Sequence, residues 1–172
     1  MMETQTARLT LTSSVFRDGE TVPQSAVFKG MGCTGDNRSP DLSWSGAPVE
    51  AKSFAVTMWD PDAPTGGVGF VHWVLFNIPG SVFALKENAG AHKDAGVHAM
   101  HGVNDYGMKA YGGPCPPPGD PPHHYHLVVY ALDVEKIDGL DDTTSYAKLR
   151  FMIREHTLAT GEIVALYARP SA

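Results

Sequence analysis

A chain of 172 residues, 42% apolar and 19% charged, has the size of one domain spanning residues 1–172 and a composition that excludes disorder. Its formal charge of −6 is repelled by nucleic acid and by anionic membrane surfaces, so neither is an expected partner. No run approaches the ~20 apolar residues of a membrane span, and Met1–Thr12 lacks the apolar core of a signal peptide, so the expected address is the cytoplasm.

Cys33 and Cys115 are the only cysteines. They are too few for a disulfide scaffold and lack the paired spacing of a structural zinc site. In a cytoplasm both thiols are expected to be reduced, and the sequence does not say whether they approach one another.

Glycine (18) and proline (13) punctuate short apolar runs, which is how a many-stranded β domain reads. Leu9–Val15 alternates as a first strand, and Arg17–Glu20 is a turn. A polar loop follows from Lys29 to Pro40, then a short strand at Leu42–Trp44. Lys52–Trp59 and Val71–Ile78 are apolar on both faces, the pattern of central strands covered twice. The Pro- and Gly-rich segment between them can join antiparallel neighbours. That pairing sets Asp60 and His72 at one sheet edge. Ser81–Gly119 is long and irregular, which marks a functional stretch. Tyr125–Leu132 is another buried strand, and Asp133–Asp142 an acidic turn region. A helix is expected from about Thr144 to Leu158, capped by Thr143 or Asp142 and stopped by Gly161. Glu162–Ala168 is a final strand.

Polar chemistry concentrates in three places. Asp60-Pro61-Asp62-Ala63-Pro64 puts two carboxylates beside a strand end, where they could orient a histidine or simply form a turn. His72-Trp73 puts an imidazole inside a buried strand, on the parity of Val74 and Phe76, where it needs a partner. The run Gly112–Gly119 is rigid backbone, whose glycine N–H groups could face an anion. It precedes His123-His124-Tyr125, in which His123 and Tyr125 share a face and can donate to an oxyanion. A metal site from Asp60, His72, His123 and His124 is disfavoured because adjacent histidines point to opposite faces, and no cofactor is expected. His92, His98, His101 and His156 have no motif around them; Asn104, Asp105 and Lys109 read as polar loop residues. No GxSxG, P-loop or GxGxxG unit is present, which removes the commonest hydrolase and nucleotide-binding readings.

DPDAP (60–64), HW (72–73) and GPCPPPG…HHY (113–119, 123–125) together resemble the phosphatidylethanolamine-binding (Raf-kinase-inhibitor-like) family in its bacterial branch. GDNRSPDLSWSG (35–46) and VNDYGMKAYGG (103–113) extend the resemblance over Leu9–Arg169. It implies a mainly β fold of two antiparallel sheets, a Greek-key-like sandwich, with a few short peripheral helices, one near the C-terminus. It also implies a small pocket for phosphate-like or phosphorylated head groups. Carried over by position, the pocket residues are Asp60, His72, His123 and Tyr125, with Gly113, Pro114, Cys115 and Pro116 as wall and Asp62 and Trp73 as flanking support. His124 stands where the family often has arginine, which removes a charge near the pocket. The chain ends soon after a strand, without the C-terminal helix of eukaryotic members, so a more open pocket is expected. The resemblance also carries a homodimer as an expectation.

The leading expectation is a binding protein whose His72, His123, Tyr125 and loop amides donate to an anion while Asp60 holds the histidines. A protein-interaction module inhibiting a kinase or protease, and a small-molecule enzyme using an Asp/His/Tyr cluster for acid–base work, with no obvious nucleophile unless Cys115 serves, are the competing readings.

Overall fold

The computed structural model describes residues 7–170, so the first part of Met1–Thr12 lies outside the described residues. The strands and helix follow in chain order as β1 (Ala7–Arg8), β2 (Thr10–Thr12), β3 (Lys29–Gly30), β4 (Cys33–Thr34), β5 (Leu42–Ser45), β6 (Ser53–Asp60), β7 (Phe70–Pro79), β8 (Ala84–Leu85), β9 (Met100–His101), β10 (His123–Leu132), α1 (Tyr146–Ile153) and β11 (Thr157–Tyr167).

A six-stranded sheet runs β1-β11-β10-β6-β7-β9, and a three-stranded sheet runs β2-β5-β8. Pairing is antiparallel throughout except for β1, which lies parallel to β11. The chain changes sheets at Leu9: of the strand expected over Leu9–Val15 only Thr10–Thr12 forms, and a separate short strand, Ala7–Arg8, precedes it. Within the expected polar loop at 29–40, β3 and β4 form a small hairpin.

The large sheet is covered on both faces, which is why β6 and β7 read as continuous apolar runs. Phe54, Val56, Met58, Trp73, Leu75 and Leu127 point toward the small sheet and meet Leu11, Leu42, Trp44 and Leu85. Ala55, Val74, Phe76, Tyr130 and Leu132 point the other way, onto Leu149 and Ile153 of α1. Each large side chain among these contributes about 1.5–3 kcal/mol by leaving water.

The helix is shorter than expected. Ser145 caps it, its hydroxyl accepting from the Lys148 amide at 3.1 Å. It ends near Ile153, and β11 has begun by Thr157, four residues ahead of the glycine expected to stop the helix. Gly161 lies inside β11, where a side chain would collide with the Leu9 carbonyl. It serves the close approach of β11 to the chain joining β1 and β2.

A bulge decides which way His72 points. Met58 pairs with Trp73 but Trp59 pairs with Val71, so His72 is the extra residue. Strict alternation would put His72 with Val74 and Phe76 on the helix side. The bulge turns it to the opposite side, where its ring centroid lies 5.1 Å from that of Tyr125.

Candidate functional site

The end of β6 and the starts of β7 and β10 meet at one edge of the large sheet. There Asp60, His72, His123 and Tyr125 line a cavity of about 150 Å³ with Met31, Phe70, Tyr106, Cys115 and Pro116. A volume of about 150 Å³ is enough for a benzene-sized molecule. The four polar residues are buried, at 3% exposure or less. Among the described residues no lysine or arginine lines the cavity.

His123 is held from both sides. Its Nδ1 donates to Asp60 Oδ2 at 2.7 Å, and its Nε2 donates to Asp120 Oδ2 at 3.0 Å. Burial disfavours the charged ring, but the hydrogen bonds and charges of Asp60 and Asp120 outweigh it and raise its pKa. With carboxylate oxygens facing both ring nitrogens, the surroundings of His123 favour the protonated ring. Asp60 uses its second oxygen, Oδ1, to accept from the Asp62 amide at 2.8 Å.

His72 has the opposite character. Its Nδ1 lies 2.7 Å from the Gly112 carbonyl, which can only accept, so Nδ1 carries the proton. Burial then pushes its pKa down to about 4, against the pull of the Gly112 and Gly113 carbonyls and Asp60. At neutral pH its Nε2 is therefore a lone pair. It is an acceptor, and not the donor expected from the sequence.

Tyr125 closes the group. Its hydroxyl is buried and makes no hydrogen bond. Burial, with the Asp60 charge beside it, raises its pKa, so it keeps its proton and remains a donor without a partner. The Tyr106 hydroxyl is taken up by the Gly113 carbonyl at 2.8 Å.

The 112–119 loop supplies wall, but the amides of Gly112 and Gly113 are spent elsewhere. The Gly112 N–H donates to the His72 carbonyl at 3.0 Å, and the Gly113 N–H donates to Asn37 Oδ1 at 2.7 Å. Gly113 is required for another reason, since any side chain there would strike the Ala26 carbonyl. The Pro114 carbonyl accepts from Phe28 N at 3.0 Å, so Gly113 and Pro114 pack behind the cavity, while Cys115 and Pro116 form its surface.

The cysteines correct the sequence reading. Cys33 and Cys115 form a disulfide, with Cα atoms 6.0 Å apart and a sequence separation of 82. Strand β4 brings Cys33 back beside the wall loop, a proximity that spacing does not encode. Arg169 reinforces the join, donating to the Pro116 and Met31 carbonyls at 2.9 and 3.1 Å. Cys115 is therefore not a thiol nucleophile in this state.

Two expected flanking residues sit outside the cavity lining. Asp62 is exposed and accepts from the His124 amide and Nδ1 at 2.8 and 2.7 Å. Burial opposes ionisation of Asp62, but the His124 hydrogen bonds and charge prevail and lower its pKa. The histidine at the family's arginine position thus keeps a partner. Trp73 is fully buried in the core, where its Nε1 donates to His101 Nε2 at 2.9 Å. His101 is consequently no loop residue: it is buried, pairs with β7, and donates from Nδ1 to the Lys93 carbonyl at 3.1 Å.

Sequence reasoning also passed over Asp120, Asn104 and Asp105. Asn104 Nδ2 donates to the His72 and Ala110 carbonyls at 3.1 and 2.9 Å, and Oδ1 accepts from Tyr106 N and Met108 N at 3.1 and 2.9 Å. Asp105 pairs with the Val71 backbone in both directions. Together they dock the 104–112 loop on the open edge of β7, beside His72. The turn-forming string Asn-Asp-Tyr-Gly was a signal of local structure, not of this long-range docking.

The family model described as phosphatidylethanolamine-binding protein matches residues 12–168. The chain belongs to the phosphatidylethanolamine-binding protein family. UPF0098 protein YbcL of Escherichia coli (strain K12) is 46% identical over 165 residues, covering 95% of this chain and 89% of the relative. The crystal structure of E. coli YbcL, described as a new member of the mammalian PEBP family, matches with a TM-score of 0.88 over 94% of this chain and 99% of that one. A homologue from Chlamydia trachomatis, 32% identical, matches with a TM-score of 0.80 over 94% of this chain and 98% of that one.

Proposed function

We propose that this family member binds a small anionic group, either free phosphate or the phosphorylated head of a larger molecule. The observation that carries this is the buried Tyr125 hydroxyl, a donor with no partner, on a residue that lines a cavity shared with His123. Leaving such a donor unpaired is costly, and a ligand oxygen supplies the missing acceptor. The second donor is His123 Nε2, which a ligand oxygen takes over from Asp120. A mostly apolar cavity with a few convergent polar groups is the usual form of a small-ligand site.

The enzyme reading loses ground, because the thiol that would serve as nucleophile is tied up in the disulfide. For the compartment, the same bond favours oxidising surroundings over the cytoplasm.

The test is a titration of the protein with inorganic phosphate and with phosphoethanolamine, followed by histidine and tyrosine NMR shifts in wild type and Tyr125→Phe. Saturable shifts centred on His123 and weakened in the variant support the proposal. Absence of shifts at tens of millimolar ligand rejects it.

A further inference from the structure

The polar groups of the cavity are unbalanced toward accepting. Asp60 accepts with both oxygens, from His123 and from the Asp62 amide. Asp120 accepts at the other nitrogen of His123. His72 has committed its proton to the Gly112 carbonyl and presents a lone pair at Nε2. Tyr106 and Thr65, which also line the cavity, spend their hydroxyls on the Gly113 and Gly69 carbonyls. The side-chain donors left for a ligand are the Tyr125 hydroxyl and, once Asp120 yields, His123 Nε2.

A fully ionised tetrahedral anion has only acceptors. Inside this cavity it would satisfy Tyr125 and His123 but set an oxygen lone pair against His72 Nε2, with the Asp60 charge close by. A group carrying one O–H beside its ionised oxygens has no such conflict. Resting on the anion-binding proposal, we infer that the site selects a singly protonated phosphate group, its P–O–H donating to His72 Nε2 while its ionised oxygens accept from Tyr125 and His123. His72 is then the residue that sets specificity. It discriminates by what it lacks: a buried acceptor left without a donor rejects a near-isosteric ligand far more strongly than a missing apolar contact does.

The ring of His72 is faced by Phe70, Tyr106 and Tyr125, with Asp60 and Asp105 as the nearby charges. Its depressed pKa keeps Nε2 unprotonated across the neutral range. The pH dependence of binding therefore comes from the ligand and from His123, which is faced by Asp60 and Asp120.

Three probes separate these contributions: methyl phosphate, which loses its second proton near pH 6 as phosphoserine does; sulfate, which carries no proton at neutral pH; and dimethyl phosphate, a permanent monoanion without an O–H. Each is titrated into the wild-type chain at several pH values between about 5.5 and 8, with NMR shifts of His72 and His123 as readout. Methyl phosphate affinity is expected to fall roughly tenfold per pH unit above the ligand's second pKa of about 6, with no saturable shift from sulfate or dimethyl phosphate. Sulfate binding as tightly as methyl phosphate overturns the inference and leaves the anion site standing, as does dimethyl phosphate binding as tightly at low pH. Silence from all three overturns the anion-binding proposal itself and the inference with it.

Discussion

Asp120 accepts a hydrogen bond from His123 Nε2 at 3.0 Å, across three residues of the chain. The contact fills the ring nitrogen that an incoming anion needs. Asp120 is partly exposed, on a loop turned by the Asp120 N–H donating to the Pro117 carbonyl at 3.3 Å, whereas Asp60 on the other nitrogen is buried. The two carboxylates therefore have different roles. Asp60 orients the ring, and under the proposed anion binding Asp120 competes with the ligand.

Replacing Asp120 by alanine should tighten phosphate binding, by about fivefold for a competing contact worth roughly 1 kcal/mol. Calorimetric titration of wild type and Asp120→Ala with phosphate measures the change. Weaker binding in the variant would show that Asp120 positions the ring for the ligand.

Tyr125→Phe separates binding from stability. The wild-type hydroxyl has no partner to lose, so its removal should leave stability unchanged or raise it by up to about 1 kcal/mol. Anion affinity should fall about tenfold or more, the loss of a hydrogen bond to a charged group. Urea unfolding and phosphate titration of the same variant read the two effects. A clear loss of stability would mean that the hydroxyl has a structural partner.

The disulfide closes a long loop, with 82 residues of sequence separation. Restriction of the unfolded chain by a loop of this size contributes on the order of 4 kcal/mol. Reduction, or the pair Cys33→Ser and Cys115→Ser, should lower the unfolding free energy by about 2–4 kcal/mol. Unfolding of oxidised and reduced protein checks this. Phosphate affinity should also drop on reduction, because Met31 and Cys115 both line the cavity and the bond joins their loops.

His72 gives stability a slope on the acid side. Its folded pKa, about 4, lies below its ordinary 6.5, so the unfolded chain takes up the proton first. The penalty is absent above pH 6.5 and grows as pH falls toward 4. His101, whose pKa burial also lowers, adds in the same direction. His123 works oppositely: its pKa is raised, so its contribution is present at low pH and lost as pH rises through the folded value. Between about pH 6.5 and 5 the wild type should lose about 2 kcal/mol through His72, and His72→Gln should lose correspondingly less. Urea midpoints at these pH values measure both slopes, and equal slopes would refute the assignment.

Much of this was legible along the chain. The central strands could be read because both faces of the large sheet are covered, which leaves an unbroken apolar signal at β6, β7 and β10. Strand ends placed Asp60 beside His72 and parity put His123 and Tyr125 on one face, while the grouping of all four was what the family resemblance implied. Helix length was misread because apolar residues at helical spacing continue past Ile153, while Asp133, whose N–H donates to the His156 carbonyl at 3.0 Å, marks where the chain turns into β11.

The sequence by itself determined the family, the β-rich architecture and which residues gather at the sheet edge, since all three depend on local patterning and motif spacing. Only the tertiary structure decided the chemistry of that edge. A one-residue bulge turns His72, a distant carbonyl chooses its tautomer, and burial keeps it neutral. A loop residue, Asp120, and a buried one, Asp60, favour the protonated ring of His123. A second loop brings Cys33 to Cys115. Apart from the local Asp120–His123 contact, each of these is a contact between segments far apart in the chain or a register shift in a ladder, and neither leaves a periodic mark on the sequence.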